Sequence, residues 1–376
     1  MQVPLLDLKR EYLSLKSRLD AAIHEVVKSQ QFILGYQVKA FEEELADYCG
    51  VKHAIGVASG TDALLLSLRA LGIGPGDKVI VPSFTFFATA GVVCNVGAEP
   101  VFADIDPQTY NIDPGHVREL LSDRSRAEKI KAIIPVHLYG QMADMDEIMA
   151  LAKEHELHVI EDAAQAIGAE YKGRKAGTVG NCGCFSFFPT KNLGAYGDGG
   201  MVVTNNDDLA KNVRMLRVHG AAQGSYYHDV VGYNSRLSAL QAAVLRAKLP
   251  FLKEWSENRK SNANYYNEKL SSIASIVTPA VAEDRTHIYH QYTVRIRNGR
   301  RDELQHFLEE KGIETRVYYP LALHLQKCFR SLGYTEGDFY EAERASKEVL
   351  SLPIFPELTQ VEKDYVVSMV SAYFKE

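Results

Sequence analysis

The chain has no apolar run long enough to cross a bilayer as a helix, and its opening Met1-Gln2-Val3-Pro4-Leu5-Leu6-Asp7 lacks the basic-then-apolar layout of a secretory leader. Both absences point to the cytoplasm. Cysteine is scarce. Cys49, Cys94, Cys182, Cys184 and Cys328 are odd in number and scattered, which argues against a disulfide framework or a metal site and for reduced core thiols. No polybasic block interrupts a net charge of −6, so neither nucleic acid nor an anionic membrane is expected as the main partner. Internal repeats and low-complexity segments are lacking too. What is present is a globular balance, 46% hydrophobic and 24% charged over 376 residues, sufficient to bury a core and fill two domains.

Strand-like runs at Asp77 to Val81, Pro100 to Asp104, Ala132 to Val136 and His158 to Asp162 alternate with helical stretches such as Thr61 to Leu71 and Met145 to His155. That alternation predicts an α/β fold with a large, mostly parallel sheet covered by helices. A long helical stretch, Leu237 to Leu270, is broken only by Pro250 and suits a bridge between domains. Beyond it, strands near Gln291 to Ile296 and Thr315 to Tyr319 and helices Arg301 to Lys311 and Glu341 to Leu350 predict a smaller α+β unit. The expected division is 1–248, including an N-terminal helical segment, and 249–376.

The most informative segment is a turn of small residues around Lys191, from Phe187 to Gly200, between the apolar runs Cys184 to Phe188 and Met201 to Val203. A lysine held on such a turn loses the freedom of a surface lysine, and the glycines allow a flat ring to approach the backbone. Its amine can act as a nucleophile toward an aldehyde. Asp162 ends the buried run Leu157 to Asp162, placing a carboxylate where open α/β sheets bind ligands, although Asp before Ala163-Ala164-Gln165 also fits a helix cap. Ser59-Gly60-Thr61 leads directly into an apolar helix, a composition suited to a phosphate and equally to capping. Ser186, between two phenylalanines, is either a second phosphate contact or a plain strand serine. Phe86 is the expected stacking face for a ring, with plain core packing as the competing reading. An amine, a carboxylate to keep a pyridine nitrogen protonated, a phosphate cradle and an aromatic face together describe the needs of pyridoxal phosphate. Gly72-Ile73-Gly74-Pro75-Gly76 has the wrong spacing for a nicotinamide fingerprint and precedes a strand.

Six segments then occur in a familiar order: Ser59 to Leu64, Pro82 to Thr89, Pro135 to Gly140, Glu161 to Gln165, Ser186 to Lys191 and Gly232 to Arg236. With these the chain resembles the DegT/DnrJ/EryC1/StrS family from Pro4-Leu5-Leu6-Asp7-Leu8 to Leu352-Pro353-Ile354-Phe355-Pro356. The resemblance implies an aspartate aminotransferase-like (type I) fold, a homodimer with shared active sites, and transfer of an amino group from L-glutamate to a nucleotide-linked keto sugar. Overall similarity to the 3-aminotransferases places C3 slightly ahead of C4, with dTDP or UDP as carrier.

The same resemblance implies that Gln165 touches the cofactor's phenolic oxygen and that Asn234 reaches the phosphate in the neighbouring subunit. It offers Arg236, Tyr318, Tyr319 and His324 as substrate contacts. Arg236 can equally be a surface charge, the tyrosines half-buried packing, and His324 and His137 structural histidines. Ile167 departs from the histidine that many sugar aminotransferases of the family carry there. Two alternatives stand beside this expectation: a cyclitol aminotransferase, and a non-catalytic regulatory protein on the same fold. Lys191 itself argues against the family's dehydratases, which carry histidine in its place.

Overall fold

The computed structural model describes residues 1–123, 127–221 and 226–375. Two helices, α1 (Leu8–Ser29) and α2 (Gly35–Cys49), precede the alternating region. Its strands are β1 (His53–Val57), β2 (Lys78–Pro82), β3 (Glu99–Ala103), β4 (Ile130–Ile133), β5 (His158–Asp162), the short pair β6 (Glu170–Tyr171) and β7 (Arg174–Lys175), β8 (Cys182–Ser186) and β9 (Gly200–Thr204). Helices α3 (Gly60–Ala70), α4 (Ala88–Asn95), α5 (Pro114–Ser122), α6 (Met145–Glu154) and α7 (Asp207–Leu216) are interleaved with them.

Seven strands form one sheet in the order β1-β9-β8-β5-β4-β2-β3. Pairings from β3 across to β8 are parallel, whereas β9 runs antiparallel to both β8 and β1. The central strands are buried on both faces, as near-continuous apolar runs such as Val79-Ile80-Val81 require. Consequently β5 and β8 end side by side, Asp162 opposite Cys184, and the turn after β8 rises from that edge.

The predicted bridge is two helices, α8 (Ala239–Lys248) and α9 (Leu252–Leu270), joined by a 3₁₀ turn at Leu249–Phe251 that contains Pro250. The smaller unit carries the antiparallel sheet β10 (Ile276–Val277), β11 (Tyr292–Ile296) and β12 (Val349–Leu352), with helices α10 (Arg301–Glu310), α11 (Tyr340–Glu348) and α12 (Gln360–Tyr373). Helix α12 opens with a capping box between Thr359 and Glu362. Val3 lies in this unit's core, bridged to Ile313, so the N-terminus returns to the C-terminal half.

Three expectations are corrected. Thr315 to Tyr319 is not a strand: it makes one isolated bridge, Arg316 to Ser351, because the Tyr318 carbonyl is taken by the Tyr139 hydroxyl and Pro320 follows. The helix expected over Glu341 to Leu350 ends at Glu348, and the apolar residues after it enter β12, which pairs antiparallel with β11. Of the five thiols, Cys49, Cys182 and Cys184 are buried, whereas Cys94 and Cys328 are exposed. Among the described residues no helix is long and apolar enough to cross a membrane.

Candidate active site

The Lys191 turn closes on itself through Lys191 N–H to the Phe188 carbonyl (2.8 Å) and Ala195 N–H to the Phe187 carbonyl (2.8 Å). Gly194 is required within it, because a Cβ there would sit 2.2 Å from the Pro189 carbonyl oxygen. Lys191 is half-buried. The protein packed around its amine lowers the pKa to about 8, and the negative charge of Asp162 opposes that shift. A substantial neutral fraction is therefore available near physiological pH, as a nucleophilic amine requires.

Asp162 is buried at the end of β5 and accepts hydrogen bonds from the Thr89 hydroxyl (2.8 Å) and the Ala164 amide (3.2 Å). Burial raises its pKa, while those two bonds and the charges of Lys191 and His137 act the other way. It does not cap a helix, since residues 163–168 form turns. Behind it, Glu161 is fully enclosed and satisfied by His137 Nε2 (2.8 Å) and the amides of Gly177, Val179 and Gly180. His137 Nδ1 accepts from the Ala143 amide (3.2 Å), so His137 is a structural brace at the strand end.

At the other wall, Ser59 caps α3 through the Asp62 amide (3.0 Å), leaving the Gly60 and Thr61 amides at the positive end of the helix. Gly60 lies so close to Ser186 that an added Cβ would be 2.6 Å from the Ser186 Cβ. Thr61 is exposed and Ser186 half-buried, so both hydroxyls remain available at this cradle. Phe86 is 56% exposed, its ring 6.2 Å from that of Tyr319, and its carbonyl accepts from Thr89 N–H (3.3 Å). An amine of lowered pKa, a buried carboxylate, a helix-end cradle and an open aromatic face fit pyridoxal phosphate.

The remaining predicted residues divide. Gln165 is buried, its Oε1 accepting from Tyr139 N–H (2.8 Å) and its Nε2 donating to the Tyr319 hydroxyl (3.0 Å). Tyr319 is thus tied to Gln165, and the Tyr318 carbonyl accepts from the Tyr139 hydroxyl. His324 is held elsewhere, bonded to Glu343 (3.0 Å) and enclosed by the rings of Phe102, Phe339 and Tyr334. That packing makes it a core histidine, and the expectation of a substrate contact is corrected. Ile167 is buried in the main core. Asn234 is exposed, Arg236 is half-buried, and neither side chain bonds to another described residue. Ser235 between them anchors the loop to Asp62 (2.7 Å) and the Ala58 amide (3.2 Å).

Sequence reading missed three partners. Thr89 donates to Asp162 from the start of α4. Asn192 and His290 are bonded to each other (3.0 Å) beside Lys191; burial, and after it the charges of Lys191 and Arg259, push the His290 pKa well below its usual value.

The profile of the DegT/DnrJ/EryC1/StrS aminotransferase family matches residues 14–371. Over the whole chain and 99% of the relative, the sequence is 53% identical to a protein of Geobacillus stearothermophilus called pleiotropic regulatory protein. It is 45% identical, over 98% of this chain and 97% of the relative, to the UDP-N-acetyl-3-dehydro-alpha-D-glucosamine 3-aminotransferase of Acidithiobacillus ferrooxidans. Among solved structures, S. venezuelae DesV in complex with ketimine intermediate superposes with a TM-score of 0.95 at 43% identity, covering 100% of this chain and 99% of that one.

Proposed function

The chain belongs to the DegT/DnrJ/EryC1/StrS aminotransferase family and depends on pyridoxal phosphate, and from that premise we propose that it moves the amino group of L-glutamate to a ketone of a dTDP- or UDP-linked keto-deoxy sugar, C3 ahead of C4. The observation that carries catalysis is the half-buried Lys191, its pKa lowered to about 8, facing the buried Asp162. The preference for C3 rests on the likeness to a 3-aminotransferase.

When bound, the cofactor supplies an aldehyde that captures amines and a ring that accepts the electron pair released at the donor's α-carbon. Lys191 would hold the group covalently, and its amine then takes and returns the proton that moves between the two carbons. Asp162, fixed by Thr89 and Ala164, would keep a proton on the ring nitrogen. Gly60, Thr61 and Ser186 would cradle the phosphate, and Phe86 would cover one face. Asn234, exposed and unbonded within the described chain, would complete the phosphate site of a second subunit, making the active unit a homodimer.

A regulatory role is the second reading, favoured by the 53% identity to a protein named for regulation. Intact Lys191 and Asp162 favour turnover. The test is L-glutamate with a panel of keto nucleotide sugars and keto cyclitols, products read by mass. Amination of a nucleotide sugar is expected. Amination of cyclitols alone, or of nothing by a fully loaded protein, would overturn it.

A further inference from the structure

Four arginines are buried among the described residues: Arg217, Arg259, Arg295 and Arg301. Arg217 pairs with Glu42 (2.5 Å), Arg295 with Glu348 and Glu341, and Arg301 with Asp302 (2.5 Å). Arg259, on α9 and 3% exposed, forms no salt bridge among the described residues, although the charges of Glu357 and Glu11 act on it from farther away. Its Nη1 donates to the carbonyls of Tyr289 (3.2 Å) and Ile354 (2.9 Å), while its Nε is enclosed and unpartnered. A buried cation of this kind is costly unless an anion arrives to meet it.

Arg259 lines a cavity of about 70 Å³ that also touches Thr190, the neighbour of Lys191, together with His290 and Tyr318. Leu6 and Ile354 give it apolar wall. That volume admits a carboxylate with one or two methylenes and is far too small for a sugar nucleotide. We propose that this cavity binds the side-chain carboxylate of a dicarboxylic amino donor, with the Arg259 guanidinium as its counter-ion. The assignment rests on the transamination reading, because the donor must stand beside Lys191. It makes Arg259 a donor-binding residue that selects glutamate over amino acids with short apolar side chains, a choice that a neutral pocket could not enforce.

The test measures the amino-donor half-reaction of the loaded protein, without sugar, for L-glutamate and L-alanine in wild type, Arg259→Met and Arg259→Lys. Arg259→Met should lose roughly 10- to 100-fold in kcat/KM for glutamate, mainly through KM, with alanine nearly unchanged. Arg259→Lys should retain part of the glutamate preference. Should Arg259→Met not fold, Leu6→Glu places an internal carboxylate beside Arg259 and should weaken glutamate selectively. An equal fall for both donors in these variants would make Arg259 a structural tie only. Calorimetric titration of the loaded protein with glutarate gives a reading independent of turnover. If wild type accepts no amino donor at all, the transamination reading fails, while glutarate binding that Arg259→Met abolishes still supports the cavity assignment. Absence of glutarate binding to wild type, or equal binding to the variant, overturns it.

Discussion

At the residue scale, Lys191 and Asp162 are ionisable groups whose environments oppose each other. Desolvation lowers the Lys191 pKa from 10.5 to about 8 and raises that of Asp162, and each partly offsets the other's shift. Capture of pyridoxal phosphate by the apoprotein, followed by absorbance, should therefore accelerate as pH rises through about 8, because only the neutral amine attacks. Asp162→Asn removes the anion that holds the lysine's proton and should move this midpoint lower. An unchanged or higher midpoint would contradict the coupling. The same variant should keep cofactor through Gly60, Thr61 and Ser186 yet lose turnover by about two orders of magnitude or more, as an unpaired ring nitrogen no longer holds its proton. Near wild-type turnover would return Asp162 to a merely structural role. Lys191→Ala should lose both the yellow absorbance of the lysine-bound cofactor and activity.

At the scale of elements, the helix-end cradle depends on close contact between α3 and the end of β8. Gly60→Ala would push a methyl group into Ser186, costing roughly 1–3 kcal/mol and displacing the first turn of α3. Cofactor affinity measured by fluorescence titration should fall, and unchanged affinity would show that the contact is not what limits the site. Strand β5 was legible to the residue, because the segment from Leu157 to Asp162 breaks into small residues directly after Asp162, and the Lys191 turn was equally clear. Less visible were pairings that exist only after folding. Thr89 meets Asp162 across 73 residues, and Asn192 meets His290 across 98. The failed strand at Thr315 to Tyr319 has the same cause: its local β-propensity is overridden by a hydroxyl from Tyr139, far upstream. His324 looked like a pocket histidine among apolar neighbours until Glu343 and three rings enclosed it.

For the whole molecule, exposed Asn234 and half-buried Arg236, whose side chains bond to no other described residue, are the basis for proposing a shared dimer. Lys191→Ala and Asn234→Ala should impair opposite halves of each composite site. Mixing them and allowing subunit exchange should raise activity above either variant alone, since one site in each mixed dimer regains both residues. No recovery, with exchange verified by native mass spectrometry, would place both residues in the same subunit's site.

Amination of a sugar ketone is tested by supplying the loaded protein with L-glutamate and matched 3-keto and 4-keto forms of dTDP- and UDP-linked sugars. Product mass reports transfer, and NMR of the product reports the carbon. Conversion of a nucleotide-linked ketone, with the new amine at C3 and one 2-oxoglutarate formed per product, is the predicted result. A loaded, yellow protein that leaves every sugar ketone untouched would contradict the account.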